Sequence, residues 1–126
     1  MKKICPSILA ADFTKLGEEI RDIEDAGADI IHCDIMDGHF VPNISYGPEI
    51  VSQVKQITKL PLDVHLMIND PQLYIEDFRN AGADYISVHH ENNYIHRLFM
   101  FLFCCSLRCN CQQLFLKLLS LLALKS

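Results

Sequence analysis

The sequence predicts an α/β fold in which parallel strands alternate with helices. The segment Ala26-Gly27-Ala28-Asp29 recurs 55 residues later as Ala81-Gly82-Ala83-Asp84, and each copy leads into an apolar run that ends in histidine. Before each copy, apolar residues recur at helical spacing. Each copy therefore joins a helix to a strand, and such alternation is typical of a parallel sheet with helices on both faces.

Four strands are predicted from the apolar runs, at residues 4–9, 29–35, 62–66 and 84–89. Half of the repeat gives about 27 residues per unit, so eight units need roughly 220 residues, near the lower end for a closed (β/α)8 TIM barrel. Four strands would make about half such a barrel or, alternatively, a small open doubly wound sheet. The open sheet normally carries a glycine-rich turn after its first strand, and residues 7–13 contain no glycine. We therefore favour an incomplete half barrel.

Three helices are predicted between these strands. Gly27 and Gly82 suit the left-handed position just past a helix end. Pro48 suits a helix start, and in the third helix we expect Asp70 as the N-cap and Pro71 at the first helical position. The apolar positions at helical spacing are Leu16, Ile20 and Ile23, then Ile50, Val54 and Ile57, then Tyr74, Phe78 and Ala81.

Composition changes near residue 98 of the 126-residue chain. All sixteen acidic residues precede that point, and four of the six cysteines follow it. We therefore expect two regions: residues 1–97, the half barrel, and residues 98–126, a divergent, apolar and cysteine-rich tail with a crude helix at 114–124. The preferred origin of the tail is an alternative exon, a retained intron or a shifted reading frame.

Charge and composition limit the classes of partner. The net charge of −5 argues against nucleic acid. The longest uncharged stretch of the tail, residues 98–107, is shorter than the roughly 20 residues that span a bilayer, so a membrane partner is not expected. The tail cysteines lack the spacing of a two-pair zinc site. No charged and then apolar leader opens the chain, which favours a cytoplasmic protein.

Histidine and acidic residues recur on two of the predicted strands. Residues two apart in a strand point to the same side, so His32, Asp34 and Met36 share one face, as do His65 and Met67. Two imidazoles and a carboxylate could then converge on a metal ion. A lone histidine in an apolar strand is more often a hydrogen-bonded core residue, but its occurrence on two strands favours the metal site.

Six segments in a fixed order and spacing carry a more specific signal. They are Pro6-Ser7-Ile8-Leu9-Ala10-Ala11-Asp12-Phe13, Gly27-Ala28-Asp29, His32-Cys33-Asp34-Ile35-Met36-Asp37-Gly38-His39-Phe40-Val41-Pro42-Asn43, Gly47-Pro48, Asp63-Val64-His65-Leu66-Met67 and Ala81-Gly82-Ala83-Asp84. Together they resemble the amino-terminal half of the ribulose-phosphate 3-epimerase family. The resemblance extends from residue 4 to about residue 97 and then stops.

The resemblance implies an isomerase of the pentose phosphate pathway that interconverts D-ribulose 5-phosphate and D-xylulose 5-phosphate by removing and replacing the proton at C3. It implies a divalent metal ion as Lewis acid, with His32, Asp34 and His65 matching three of the family's four ligands. Asp34 would also be one of two acid/base carboxylates, while the second, which is the fourth ligand, belongs in the family to a late strand. Zinc, iron(II), manganese and cobalt all suit such ligands.

The resemblance also implies contacts with the substrate, a small sugar phosphate. Ser7, His65, Met36 and Met67 match residues that contact the substrate or line the site, although a local turn and core packing would also account for Ser7 and the methionines. His89 is expected to line the site or pack beside it. Barrels of this kind hold phosphate on loops after the seventh and eighth strands.

Two alternatives to an active ribulose-phosphate 3-epimerase remain. The chain could be a non-catalytic truncated isoform that lacks the second aspartate and the phosphate site, and that forms a homo-oligomer or associates with full-length subunits. It could also resemble the relative that acts on allulose 6-phosphate, because sugar length is sensed mainly by the other half of the barrel.

Overall fold

The computed structural model describes residues 2–89, which follow the alternation expected from the sequence. Helix α1 (Leu16–Asp25) precedes strand β1 (Ile31–Met36), α2 (Pro48–Ile57) precedes β2 (Leu62–Met67), and α3 (Ile75–Asn80) precedes β3 (Tyr85–Val88). Three short 3-10 turns are Ile8–Ala10, Phe13–Lys15 and Pro71–Leu73. The region predicted as a tail lies outside the described residues. Within residues 2–89 no helix combines the length and the apolar character needed to cross a membrane.

The three strands form one parallel sheet in the order β1-β2-β3. Alternate side chains of β1 and β2 are buried, and we call the side on which they lie the covered face. Its residues are Ile31, Cys33, Ile35, Leu62, Val64 and Leu66. The residues between them are half-buried and lie on the opposite side, which we call the open face. His32, Asp34 and His65 belong to the open face.

The helices pack against the covered face. Ile20 of α1, Val51 and Val54 of α2 and Phe78 of α3 are buried in one cluster with the strand residues. Full burial of such a side chain contributes about 1.5–3 kcal/mol. The predicted apolar stripes are therefore confirmed at their centres.

Two stripe positions at helix ends are not in the core. Ile57 is 39% exposed and Tyr74 is 45% exposed. Ile57 is the last residue of α2, and Tyr74 precedes the first residue of α3, so both lie beyond the part of each helix that faces the sheet.

The predicted first strand, residues 4–9, is wrong as a strand. Ser7 forms only an isolated parallel bridge with His32, and Ile8–Ala10 is a 3-10 turn whose Leu9 amide donates to Ser7 Oγ at 3.2 Å. The Pro6 carbonyl accepts a hydrogen bond from the His32 amide at 2.9 Å, but Pro6 has no N–H to donate in return. A proline and a capping serine thus end the ladder after a few bonds, although the segment does lie beside β1.

The third helix also starts differently from the prediction. Asp70 is left-handed, with φ of 51°, and its side chain makes no capping bond. A side-chain cap needs an extended N-cap residue, which this conformation denies. Pro71 then begins a 3-10 turn, and the α-helix starts only at Ile75.

The repeated Gly-Ala-Asp segment has the same structural role in both copies. Gly27 and Gly82 are left-handed, with φ of 88° and 105°, as predicted. The Asp29 amide donates to the Ile4 carbonyl at 2.9 Å, and Asp29 Oδ2 accepts from the Ile4 amide at 2.8 Å. Asp84 makes the same pair of bonds with Leu62, each at 2.9 Å. Each aspartate therefore fastens the start of its strand to the neighbouring chain segment.

Candidate metal centre

The open face of the sheet brings His32, Asp34 and His65 together. Asp34 and His65 are directly paired across β1 and β2. Asp34 Oδ1 lies 3.2 Å from His32 Nε2 and 3.2 Å from His65 Nδ1. One ligand atom from each residue lies within 4.8 Å of the other two. Ligand atoms about 2.0–2.1 Å from a tetrahedral cation lie about 3.4 Å apart, so the observed spacing suits one metal ion.

Asp34 is held by contacts from three sides. Its Oδ2 accepts from Ser7 Oγ at 2.5 Å, while Oδ1 faces the two imidazoles. Burial raises the pKa of Asp34, but the Ser7 hydrogen bond, the charge of His32 and the imidazole hydrogen bonds outweigh it and leave the pKa below its ordinary value. Asp34 is therefore an ionised carboxylate at neutral pH, as a metal ligand or a proton acceptor must be.

His32 has a carboxylate on each side of its ring. Asp63 Oδ2 lies 2.9 Å from Nδ1, and Asp34 Oδ1 lies 3.2 Å from Nε2. If Nδ1–H donates to Asp63 in a neutral ring, then Nε2 and Asp34 Oδ1 face each other as two acceptors. Protonation of the ring or a cation between them relieves this conflict. The two facing acceptors, together with the spacing of the cluster, therefore fit a bound metal ion.

Asp63 is a site residue that sequence reasoning missed, although it lies in the same motif as His65. The register pairs it with His32 directly. A carboxylate that accepts from the second nitrogen of a ligating histidine fixes the ring and its tautomer. The signal that could have found Asp63 was the parallel pairing of the two motifs, in which His32 and Asp63 occupy adjacent positions.

Ser45 is a second residue that the sequence did not reveal. Its Oγ donates to the Asp34 carbonyl at 2.8 Å and accepts from the Met36 amide at 3.0 Å. It therefore ties the loop after β1 to the strand that carries Asp34. A serine eleven residues away in a loop offers no pattern from which this contact could be predicted.

Asp37 lies in the loop after β1 and not in the cluster. Its carboxylate accepts from the amides of His39, Phe40 and Asn69 at 2.8–2.9 Å. The side chain thus joins the loops that follow β1 and β2. With its oxygens committed to backbone amides, Asp37 supplies no ligand to the cluster.

The candidate substrate contacts have mixed placements. Ser7 lies in the cluster through its bond to Asp34. Met36 and Met67 pair with each other at the ends of β1 and β2, on the same face as the cluster and half-buried. Their contact with a substrate stays a prediction.

His89 packs against the site, in line with its expected lining or packing role. Its ring stacks on His65 with centroids 4.9 Å apart and an interplanar angle of 19°. Phe40 contacts the His89 ring at 4.9 Å. The rings of Phe40 and His89 therefore limit how far the His65 imidazole can turn.

Comparison with known proteins identifies the family to which these strands belong. The model of the ribulose-phosphate 3-epimerase family matches residues 3–102. The chain is 63% identical over 91 residues to a ribulose-phosphate 3-epimerase of Bacillus subtilis, a match that covers 72% of this chain and 42% of that protein. It is 59% identical over 97 residues to the protein of the same name in Synechocystis, covering 75% and 42%.

A plant relative extends the comparison. The chain is 53% identical over 97 residues to the chloroplastic ribulose-5-phosphate-3-epimerase of Arabidopsis thaliana, covering 75% of this chain and 34% of that protein. The chain thus spans about two-fifths of the length of the curated relatives it matches. It belongs to the ribulose-phosphate 3-epimerase family, and its parallel strands and helices are a partial (β/α)8 barrel.

Proposed function

We propose that this chain carries the metal-binding part of an epimerase active site that interconverts D-ribulose 5-phosphate and D-xylulose 5-phosphate. The observation that supports it most is the convergence of His32, Asp34 and His65 on the open face. The relatives that share these strands carry the name of that activity. The proposed small-molecule partner is therefore a pentulose phosphate.

Asp34 is the proposed acid/base residue for one face of the substrate. Its lowered pKa keeps it ionised, so it can accept the C3 proton from one face of the substrate, while inversion requires a second acid to protonate C3 from the opposite face; in the reverse reaction the protonated Asp34 donates instead. The hydroxyl of Ser7 donates to Oδ2 and orients the carboxylate. A divalent cation bound by this cluster supplies positive charge beside the substrate oxygens that become negative as the proton leaves.

The two histidines are proposed as neutral nitrogen ligands. Asp63 orients His32 through Nδ1, which leaves Nε2 to face the cluster. His65 presents Nδ1 to the same carboxylate oxygen and is braced by the His89 ring. Two nitrogens and one carboxylate oxygen suit zinc, iron(II), manganese or cobalt. Met36 and Met67 are proposed to line the substrate side and exclude water.

A non-catalytic form is the second candidate, because among residues 2–89 the cluster contains one carboxylate, Asp34. The family resemblance assigns the opposing aspartate and the phosphate loops to strands later than the three described here. Phosphate contacts contribute to lowering the barrier as well as to binding. A non-catalytic form would bind a metal ion at His32, Asp34 and His65 without turnover.

Two measurements separate these candidates. The full chain is first assayed for conversion of D-ribulose 5-phosphate with each candidate metal, alone and as Asp34→Asn. Turnover that Asp34→Asn abolishes supports the epimerase, whereas one bound metal per chain without turnover supports the non-catalytic form.

A chimera tests the site independently of the length of the chain. Residues 4–97 replace the matching segment of the Bacillus subtilis relative, with the relative's own segment as the matched control. We expect a metal-dependent epimerase that Asp34→Asn inactivates. A folded chimera that binds metal but does not epimerise ribulose 5-phosphate would contradict the proposed function.

A further inference from the structure

A second group of metal-ligating side chains lies on the other side of the His32 ring. Cys5, His32 and Asp63 each offer one ligand atom, and these three atoms lie within 4.8 Å of one another. Cys5 is exposed, while His32 and Asp63 are half-buried. Asp63 Oδ2 lies 2.9 Å from His32 Nδ1, so this group faces Nδ1, whereas the first cluster faces Nε2.

The position of Cys5 is fixed by its neighbours. The Ile4 amide and carbonyl are both bonded to Asp29, and the Pro6 carbonyl accepts from the His32 amide at 2.9 Å. The backbone on either side of Cys5 is thus fastened to β1 and its approach. A ligand carried on such a segment needs little reorganisation to bind a cation.

The chemistry of these donors differs from that of the first cluster. The second group offers a thiolate, an imidazole nitrogen and a carboxylate oxygen. Such a donor set binds thiophilic divalent cations in preference to magnesium or manganese. A cation that binds displaces the Cys5 thiol proton to solvent, and the nearby carboxylates of Asp63 and Asp34 favour the approach of the cation.

We propose that Cys5 Sγ, His32 Nδ1 and Asp63 form a second site, specific for a thiophilic divalent cation such as zinc or cadmium, that competes with the first cluster for His32. A neutral imidazole has one lone pair. When Nδ1 ligates a cation, the ring proton moves to Nε2, which no longer serves the first cluster. The existence of the second site does not depend on the proposed function. Inhibition of epimerase turnover by a cation bound there does rest on it.

Cadmium binding to the full chain in the Asp34→Asn background tests the site without the first cluster. The readout is the 15N NMR signal of the His32 ring nitrogens, with circular dichroism to check the fold. We expect cadmium to shift the Nδ1 signal in Asp34→Asn but not in the double variant Asp34→Asn/Cys5→Ala. A shift of Nε2 alone, or an Nδ1 shift that persists without Cys5, would overturn the second site.

Competition is tested with chains that have an intact Asp34. Manganese is bound first, and its release by cadmium is followed by electron paramagnetic resonance. Loss of a partner that merely orients a ligand lowers metal affinity about 10- to 100-fold, so Cys5→Ala should raise the cadmium needed for release at least about tenfold. Equal release from both proteins would contradict competition. Neither assay uses epimerase turnover, so failure of the proposed function leaves both outcomes interpretable.

Discussion

The two faces of the sheet are built from alternate residues of the same strands, yet they have opposite properties. On the covered face, Val64 and Leu66 are fully buried among apolar side chains. On the open face, Asp63 and His65 are half-buried and bonded to other polar side chains. Adjacent residues of β2 therefore have different roles: those on the covered face stabilise the fold, and those on the open face belong to the candidate site. Substitutions of neighbouring residues should separate these properties experimentally.

Asp34→Asn should have the largest effect on chemistry. In the chimera we expect epimerase turnover to fall by about 10²- to 10⁴-fold or more, because the variant loses both an acid/base group and an anionic ligand. Steady-state kinetics at saturating metal measures this loss. Ser45→Ala, which removes a contact with the Asp34 carbonyl rather than with its carboxylate, is the control and should retain most activity.

Leu66→Ala should have the largest effect on stability. It removes a buried side chain from the core, for which the expected cost is about 2–5 kcal/mol of unfolding free energy. His65→Ala, one residue away on the open face, should cost much less in metal-free protein. Urea unfolding of both variants in chelator provides the measurement. A similar loss in both would mean that the faces do not divide as described.

Asp63→Asn should weaken metal binding at His32, Asp34 and His65 without removing a member of that cluster. The amide no longer fixes the His32 tautomer through a charged hydrogen bond, and affinity should fall about 10- to 100-fold. Calorimetric titration with manganese, which the thiolate-containing second site disfavours, measures the change. Asp25→Asn is the control: it removes one negative charge, as Asp63→Asn does, but at an exposed position at the end of α1. It should leave the metal affinity unaltered.

The covered face should also make a smaller, pH-dependent contribution to the free energy of unfolding, through the buried thiol of Cys33. Burial raises the pKa of Cys33 to about 12; a hydrogen bond with Tyr46 opposes this rise, and the nearby carboxylates of Asp34 and Asp63 add to it. An unfolded chain loses this proton near its ordinary pKa of 9.0, before the folded chain does. The stabilisation is therefore complete below pH 9 and is lost as pH rises towards about 12.

Urea midpoints between pH 8 and 10.5 measure this alkaline loss. Cys33→Ala should show a flatter decline than the unsubstituted chain, whereas Cys5→Ala, which removes an exposed thiol, should alter the slope less. Identical slopes for Cys33→Ala and the unsubstituted chain would rule out the buried thiol as a source of the pH dependence.

Periodicity predicted the two faces because it reports side-chain direction in a strand. The helices between the strands and the left-handed Gly27 and Gly82 were predictable for the same reason: they depend on local spacing and backbone conformation. Local pattern could not reveal that Pro6 and Ser7 interrupt the first predicted strand. The ladder there depends on which donors face β1, a property of pairing rather than of the segment itself.

The grouping of the three candidate ligands was predictable from the sequence, but the residues that hold them in place were not. His32, Asp34 and His65 stand out because their residue types are rare in apolar strands. Asp63 and Ser45 act through register and through a loop that returns to β1, and a single sequence specifies neither directly. The carboxylate on each side of His32 became apparent only when both strands were placed side by side.

The most direct test is a crystal structure of the chain grown with manganese, with anomalous scattering used to locate the ion. We expect one strong anomalous peak within bonding distance of His32 Nε2, an Asp34 carboxylate oxygen and His65 Nδ1. A peak elsewhere, or none at saturating manganese with the three side chains still in place, would contradict the proposed metal centre.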